Sequence, residues 1–355
     1  MAEQPRRRAD SAVPDVGDGL WERIQAAVLA ESGADKSLWN GELGYTDPAE
    51  SVRGEAYGNG KLNLSEESVV RPLREMYEQR GQRVTEEQLI ARRSAFQVVA
   101  HEFGHLAVPE EYQLADRLAE IHLKDFTPIE EGTNEAWSQA KTDALIDRAL
   151  PRDLALQLKS VDTLRTYPGW DPAARAFADD LGAEIGLDGD EVLSVMNREA
   201  RTGKARAAAD LIFEHSELPR LVPPEHQAAV RLQLRGQLDK AFTELRPLNE
   251  DKTVNRRSVA TKRGQAMAEV LVRTVQNAEE RFRQGPGRGA EYELQAAFDD
   301  ARVAVAMEDP EVARLRRMMG GQAPAAGAAR PARGAESARR AGERPAGRST
   351  EAPER

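Results

Sequence analysis

Residues 85–106, TEEQLIARRSAFQVVAHEFGHL, decide the fold. Thr85 followed by Gln88 forms a capping box, in which each side chain bonds the other residue's backbone N–H at the start of a helix. Apolar residues then recur at helical spacing, at Leu89, Phe96, Val99, Phe103 and Leu106. The pattern predicts one long amphipathic helix that ends before Pro109.

This helix carries two histidines one turn apart. Residues i and i+4 of a helix lie on the same face, so His101 and His105 can present two imidazole nitrogens to one point. The two nitrogens could bind one metal ion there. Glu102 is placed to hydrogen-bond a water molecule on that metal ion, not to bind the ion itself. Gly104 is expected to leave space beside the metal ion. The alternative, two core histidines at this spacing by chance, is rare at this histidine frequency.

Two more helices are predicted downstream. The first covers residues 110–123. The second has Thr127 as its cap, Pro128 in its first turn and Glu130 as capping partner, and carries EGTNEAWSQAKTDALIDRAL at 131–150. Catalytic zinc sites use three protein ligands plus water, and the chain has no cysteine. The third ligand is therefore sought among histidines and carboxylates.

The two motif-bearing helices resemble those of the gluzincin metallopeptidases, with the thermolysin-like families as the nearest comparison. In that pattern a second helix follows HExxH and carries an Asn-Glu-Ala step, which falls here at residues 134–136. The resemblance implies one catalytic zinc ion bound by His101, His105 and Glu135. It also implies that Glu102 is the general base in peptide-bond hydrolysis.

The second helix offers a competing ligand. Glu131 lies four residues before Glu135 on a similar face, although Glu131 and Glu130 are also explained as first-turn acids that complement the helix dipole. In the family pattern an aspartate four residues after the ligand orients a metal-bound histidine, whereas this chain has Gln139 there. Asp143, one turn further along, is the possible substitute.

A short strand is predicted in YGNGKLNLS, residues 57–65, where Leu62 and Leu64 alternate with polar residues after a Gly/Asn turn. The overlapping segment EAYGNGKLNL, residues 55–64, resembles the edge strand that pairs with the substrate backbone in such peptidases; an ordinary strand is the alternative. Residues able to stabilise an oxyanion are Tyr112, His122, Tyr167, His215 and His226. The family's use of a residue from the second lobe slightly favours His215.

Composition restricts the partners. The formal net charge is −10 over 355 residues, which disfavours nucleic acid and anionic membrane surfaces. No run approaches the ~20 apolar residues of a membrane span, and no apolar stretch follows the basic amino terminus as in a signal peptide. The expected location is cytoplasmic, with signal-less export open, and the expected partner is a peptide or protein substrate.

The expected fold is mainly α with a small β region (α+β), a zincin-like metallopeptidase core followed by a helical lobe. Residues 1–50 are a partly ordered extension, 51–150 the core, 151–319 the lobe and 320–355 a disordered tail, because the tail has almost nothing apolar to bury. The expected function is that of a zinc metalloendopeptidase. The alternatives are a non-catalytic protein on a zincin scaffold, such as a phage or regulatory component, and a peptidase effector of a bacterial conflict system.

Overall fold

Helices dominate the part of the chain that the structure describes. The computed structural model describes residues 16–17, 19–162, 167–250, 255–284, 295, 296 and 299. All of them belong to the unit formed by residues 1–309. The prediction of a mainly α chain with a small β region is confirmed. The predicted tail, 320–355, lies outside the described residues, as do residues 1–15 of the extension.

The helices follow one another along the described chain. They are α1 (Leu20–Ser32), α2 (Arg71–Glu78), α3 (Glu86–Gly104), α4 (Leu114–Glu120), α5 (Thr127–Ala149), α6 (Arg152–Leu158), α7 (Asp171–Ile185), α8 (Gly189–Asn197), α9 (Lys204–Glu214), α10 (Leu218–Leu221), α11 (Pro224–Thr243) and α12 (Arg256–Arg283). Within the described ranges, none of them has both the length and the apolar character that crossing a bilayer requires.

Among the described residues, two small sheets lie before residue 110. The strands are β1 (Lys36–Ser37), β2 (Leu43–Tyr45), β3 (Gly54–Ala56), β4 (Leu62–Leu64) and β5 (Ala107–Val108). β1 and β5 form an antiparallel pair, and the other sheet has the order β2-β4-β3, with β3 antiparallel to β4. The predicted strand at Leu62 and Leu64 is confirmed. It is the central strand of its sheet, and β3 is the edge strand that contacts α3.

Helix α3 begins as the sequence predicts. Both halves of the capping box are present, since the Thr85 hydroxyl accepts from the Gln88 backbone N–H and the Gln88 side chain accepts from the Thr85 backbone N–H. The helix ends at Gly104, and His105 follows as its C-cap with a helical backbone. Most residues between 92 and 104 are buried, so the histidine motif lies at the buried end of the helix.

Helix α4 is shorter than the predicted span of 110–123. A capping box between Gln113 and Asp116 starts the helix at Leu114. None of the residues of α4 is buried. This segment therefore lies on the surface, between the end of the histidine helix and the start of α5.

Helix α5 differs from the prediction in its cap. Thr127 is the first helical residue and Phe126 is the N-cap, without a side-chain hydrogen bond, so the assignment of Thr127 as cap is wrong. Pro128 does occupy the first turn, where its missing N–H costs no helical bond. Glu130 is not a capping partner either, and its buried carboxylate bonds elsewhere.

One apolar core, from Val16 to Phe282, joins the described helices except α4. Helix α5 contacts α1, α3, α7 and α8, and Trp137 near its middle is fully buried. Burial on this scale fixes the rotation of α5 against α3, because a shift of either helix would expose apolar surface. The predicted boundary at residue 150, between the core and the helical lobe, stays a prediction.

Candidate metal centre

The two histidines of the motif converge as their spacing predicts. His101 lies in the last turn of α3 and His105 caps the same helix. Their Nε2 atoms are 3.1 Å apart, and the two rings meet edge to face. Both side chains are less than a tenth exposed. One point in space can therefore receive a nitrogen from each ring.

Helix α5 adds a carboxylate to this point. Oε2 of Glu131 lies 3.3 Å from Nε2 of His101 and 3.4 Å from Nε2 of His105. Each of these three residues offers one ligand atom, and the ligand atoms lie within 4.8 Å of one another. The structure thus gathers His101, His105 and Glu131 into one metal-type cluster among the described residues.

Glu135, the ligand implied by the family resemblance, lies beside the other nitrogen of His101. Its Oε2 is 3.1 Å from Nδ1 of His101, and its Oε1 accepts a hydrogen bond of 3.0 Å from Gln139. The carboxylate is almost wholly buried. In this arrangement the carboxylate of Glu135 lies beside His101 without reaching the Nε2 atoms of the cluster. Asp143, the possible orienting residue, pairs instead with Arg93 at 2.8 Å.

The ring of His105 has an orienting carboxylate too, which the sequence did not reveal. Oε1 of Glu130 lies 2.6 Å from Nδ1 of His105. Burial would raise the pKa of Glu130, but the bond to His105 and the charges of Lys204 and Arg201 lower it to about 2. Glu130 had a sufficient explanation as a first-turn acid. Only its burial and contacts in the folded chain identify it.

Gly104 has a different role from the expected one of leaving space beside an ion. A Cβ at this position would lie 2.1 Å from Oδ1 of Asn134, so the glycine lets the amide of Asn134 approach α3. Nδ2 of Asn134 donates a 2.7 Å hydrogen bond to the carbonyl oxygen of His101. That carbonyl is thereby satisfied inside the protein. The contact also fixes α5 against the turn that carries the histidines.

Glu102 lies next to the cluster and is not part of it. Its side chain packs against edge strand β3, where a Cβ on Gly54 would be 2.7 Å from its Cγ. Its carboxylate accepts the backbone N–H of Ala56. Burial raises the pKa of Glu102, while the neighbouring histidines oppose that rise. A buried carboxylate of raised pKa beside a metal-type cluster is suited to accept and release a proton.

Tyr167 covers one side of the cluster. Its ring stacks on His101 with centroids 5.8 Å apart and on Trp170 at 5.4 Å, and its hydroxyl hydrogen-bonds Glu131. The negative charge of Glu131, with burial, raises the pKa of Tyr167, so the phenol keeps its proton. Tyr112 bonds Glu120, and His122, His215 and His226 are exposed. Of the five candidate donors, Tyr167 is therefore the one placed against the histidines.

The histidines and glutamates of the cluster shift one another's pKa values. Burial would lower the pKa of His101, but hydrogen bonds to Glu131 and Glu135 outweigh it and raise this pKa well above 6.5. Burial also opposes the protonation of His105, whose pKa is nevertheless raised by Glu131 and Glu130. Against its own burial, the charged histidines hold the pKa of Glu131 well below 4.5. A divalent ion can take the place of these protons, because buried carboxylates need a positive partner.

No family model matches the chain, and searches of curated proteins and of solved structures found no match.

Proposed function

We propose that the chain is a zinc-dependent metallopeptidase of gluzincin type that binds its ion through His101, His105 and Glu131. The observation that carries the proposal is the position of one oxygen of Glu131 at 3.3 and 3.4 Å from the two Nε2 atoms. Two imidazole nitrogens and one carboxylate oxygen suit zinc and leave a coordination position for water. The Nδ1 atoms of the two histidines lie beside the carboxylates of Glu135 and Glu130. A carboxylate beside the second ring nitrogen is the usual support for a metal-binding histidine.

The acids of α5 support the family resemblance in a register shifted by four residues. In the family pattern an acid follows the ligating glutamate by four positions and orients a metal-bound histidine. Glu135 follows Glu131 by four positions and lies 3.1 Å from Nδ1 of His101. With Glu131 as ligand, Glu135 fills the orienting role, whereas the Asn-Glu-Ala step at 134–136 then surrounds the orienting residue and not the ligand. The zincin-like core is part of this proposal.

Each residue around the ion has a distinct task in peptide hydrolysis. Bound zinc would supply Lewis-acid polarisation and lower the pKa of water. Glu102 accepts the proton of the attacking water and passes it to the leaving amine. The hydrogen bond from Ala56 fixes the carboxylate of Glu102 at the edge strand, where an extended peptide backbone could pair. Tyr167 keeps its phenolic proton and can donate it as a hydrogen bond to the developing oxyanion.

The test replaces Glu102 by Gln, which keeps the size of the side chain and removes the base. The variant should retain zinc, while cleavage of a peptide library falls by about 10²-fold to 10⁴-fold, the usual loss for a general base. Glu86→Gln is the matched control, because Glu86 lies exposed at the start of the same helix. That control should cleave at the parental rate.

Equal cleavage by the parent and Glu102→Gln would assign the activity to another site or to a contaminant. A parent that binds zinc firmly and cleaves no peptide in a broad library would favour the non-catalytic scaffold. The metal content of both proteins, measured in the same preparations, separates loss of the base from loss of the ion.

A further inference from the structure

The outer edge of β3 presents the backbone groups of Gly54 and Ala56. Tyr57 donates its N–H to the carbonyl of Lys61, and Ser65 donates to the carbonyl of Arg53, so residues 53 and 57 bond inward to the neighbouring strand. In an antiparallel pair the direction of bonding alternates from residue to residue. Ala56 is opposite Leu62 in the register, between two inward-bonding positions. Its N–H and C=O therefore point away from the sheet.

Both outward groups of Ala56 are occupied within the chain. The N–H is accepted by Glu102, and the carbonyl oxygen accepts a 2.9 Å hydrogen bond from Nη2 of Arg117. The same guanidinium donates to the carbonyl of His105 at 2.7 Å and to that of Tyr57 at 3.3 Å. One side chain of α4 thus bridges the edge strand and the end of the histidine helix. A peptide adding to β3 would need the carbonyl that Arg117 holds.

The helix that carries Arg117 is held weakly by apolar contacts. None of its residues is buried, and Leu114, Leu118 and Leu123 of this segment are 37%, 50% and 43% exposed. Polar contacts hold it instead. Besides the contacts of Arg117, Glu120 accepts a hydrogen bond of 2.7 Å from Thr202, which ties α4 to the turn before α9. An element with little buried apolar area can open locally at small free-energy cost.

We propose that α4 is a lid over the peptide-binding edge, closed by Arg117, and that an extended peptide displaces Arg117 from the carbonyl of Ala56 when it binds. The inference rests on the proposed peptidase function for the identity of the occupant. The closed contact itself is independent of catalysis. In the closed state the edge is protected from pairing with other chains, a hazard that exposed strand edges carry.

The first arm of the experiment measures hydrogen–deuterium exchange in the full-length chain without any substrate. Arg117→Ala should speed exchange in peptides covering 113–123 by roughly tenfold or more, because hydrogen bonds from a charged donor are lost. Exchange in α3 should stay slow. Lys124→Ala is the matched control, since it removes an equal charge next to the same helix and should leave exchange unchanged.

The second arm compares cleavage of extended peptides by zinc-loaded parent and variant. Arg117→Ala should lower KM while kcat stays near the parental value, because only closure competes with binding. Unchanged exchange at 113–123 would overturn the lid proposal. Loss of protection across α3 would overturn it too, because Arg117 would then stabilise the histidine helix itself. A raised KM would overturn it as well. If the parent cleaves nothing, the peptidase proposal fails while the exchange arm still decides whether Arg117 closes α4.

Discussion

Among the helices that the structure describes, α7 with α12 and α3 with α5 both approach each other closely at a glycine, and the two pairs use the close approach differently. At the crossing of α7 and α12, a Cβ on Gly264 would lie 2.1 Å from the backbone oxygen of Ala173. At the crossing of α3 and α5, a Cβ on Gly104 would lie 2.1 Å from the side-chain oxygen of Asn134. The first contact joins two backbones and the second admits an amide that bonds His101.

The residues buried around the two crossings differ in the same way. Those of α7 and α12 are mostly apolar, whereas α3 and α5 bury histidines, glutamates and an asparagine. Buried polar groups cost free energy unless each has a partner, so such a cluster is expected where function requires it. The apolar pair α7–α12 is therefore expected to contribute mainly stability, whereas the polar pair α3–α5 carries the candidate metal centre.

The largest effect is expected within the polar pair, from replacing its two glutamates separately. Glu131→Gln should abolish stoichiometric zinc binding, because it removes a ligand. Glu135→Gln should weaken zinc by about 10-fold to 100-fold, as is usual for a residue that orients a ligating histidine. Competition with a chromophoric chelator measures both affinities. The reverse order would make Glu135 the ligand, as the sequence resemblance implies.

The next effect contrasts the two glycines directly. Gly264→Ala should lower the free energy of unfolding by about 1–3 kcal/mol and leave zinc affinity unchanged, because a backbone oxygen cannot move aside. Gly104→Ala should destabilise less, since the amide of Asn134 can rotate away. It should instead weaken zinc binding, because the turn that holds His101 loses its donor. Denaturant unfolding and zinc titration report the two quantities.

Gly236→Ala in α11 controls for helix propensity. A Cβ there would meet nothing within 4 Å. This variant should be stabilised by about 0.5–1 kcal/mol, the usual gain for replacing a helical glycine by alanine. The account would be contradicted if Gly264→Ala left the free energy of unfolding as high as Gly236→Ala does. It would also be contradicted if Gly264→Ala weakened zinc binding as Gly104→Ala is expected to.

A smaller effect is expected from pH in the zinc-free protein. Folding raises the pKa values of His101 and His105 above 6.5. A raised pKa contributes stability below the unfolded-state value, and this contribution is lost as the pH rises through the folded-state value. The histidine contribution to stability should therefore decline above about pH 6.5, while zinc affinity increases because fewer protons compete. Unfolding and zinc titrations over pH test both signs.

Local features of the site could be predicted from the sequence. The cap at Thr85 and the one-turn spacing of His101 and His105 depend on residues within one helix, so they are confirmed in the folded chain. The strand at Leu62–Leu64 is equally local. These features need no knowledge of how helices pack.

Which glutamate of α5 reaches the histidines depends on how α5 is rotated against α3. Glu131 and Glu135 share a helix face, so spacing alone does not say which reaches the Nε2 atoms. The contact between Gly104 and Asn134 helps to fix that rotation. Tyr167 comes from a turn far along the chain and was one of five candidate donors, among which the family resemblance slightly favoured His215. Only the tertiary structure places it against His101.

The zinc content of the purified protein tests the central claim most directly. Elemental analysis after mild dialysis should find about one zinc per chain in the parent, because three protein ligands and a water complete the zinc site. His105→Ala should contain almost none, since it leaves only two ligands. Absence of stoichiometric zinc in the parent, with none regained when zinc is added, would contradict the assignment of this cluster as a metal centre.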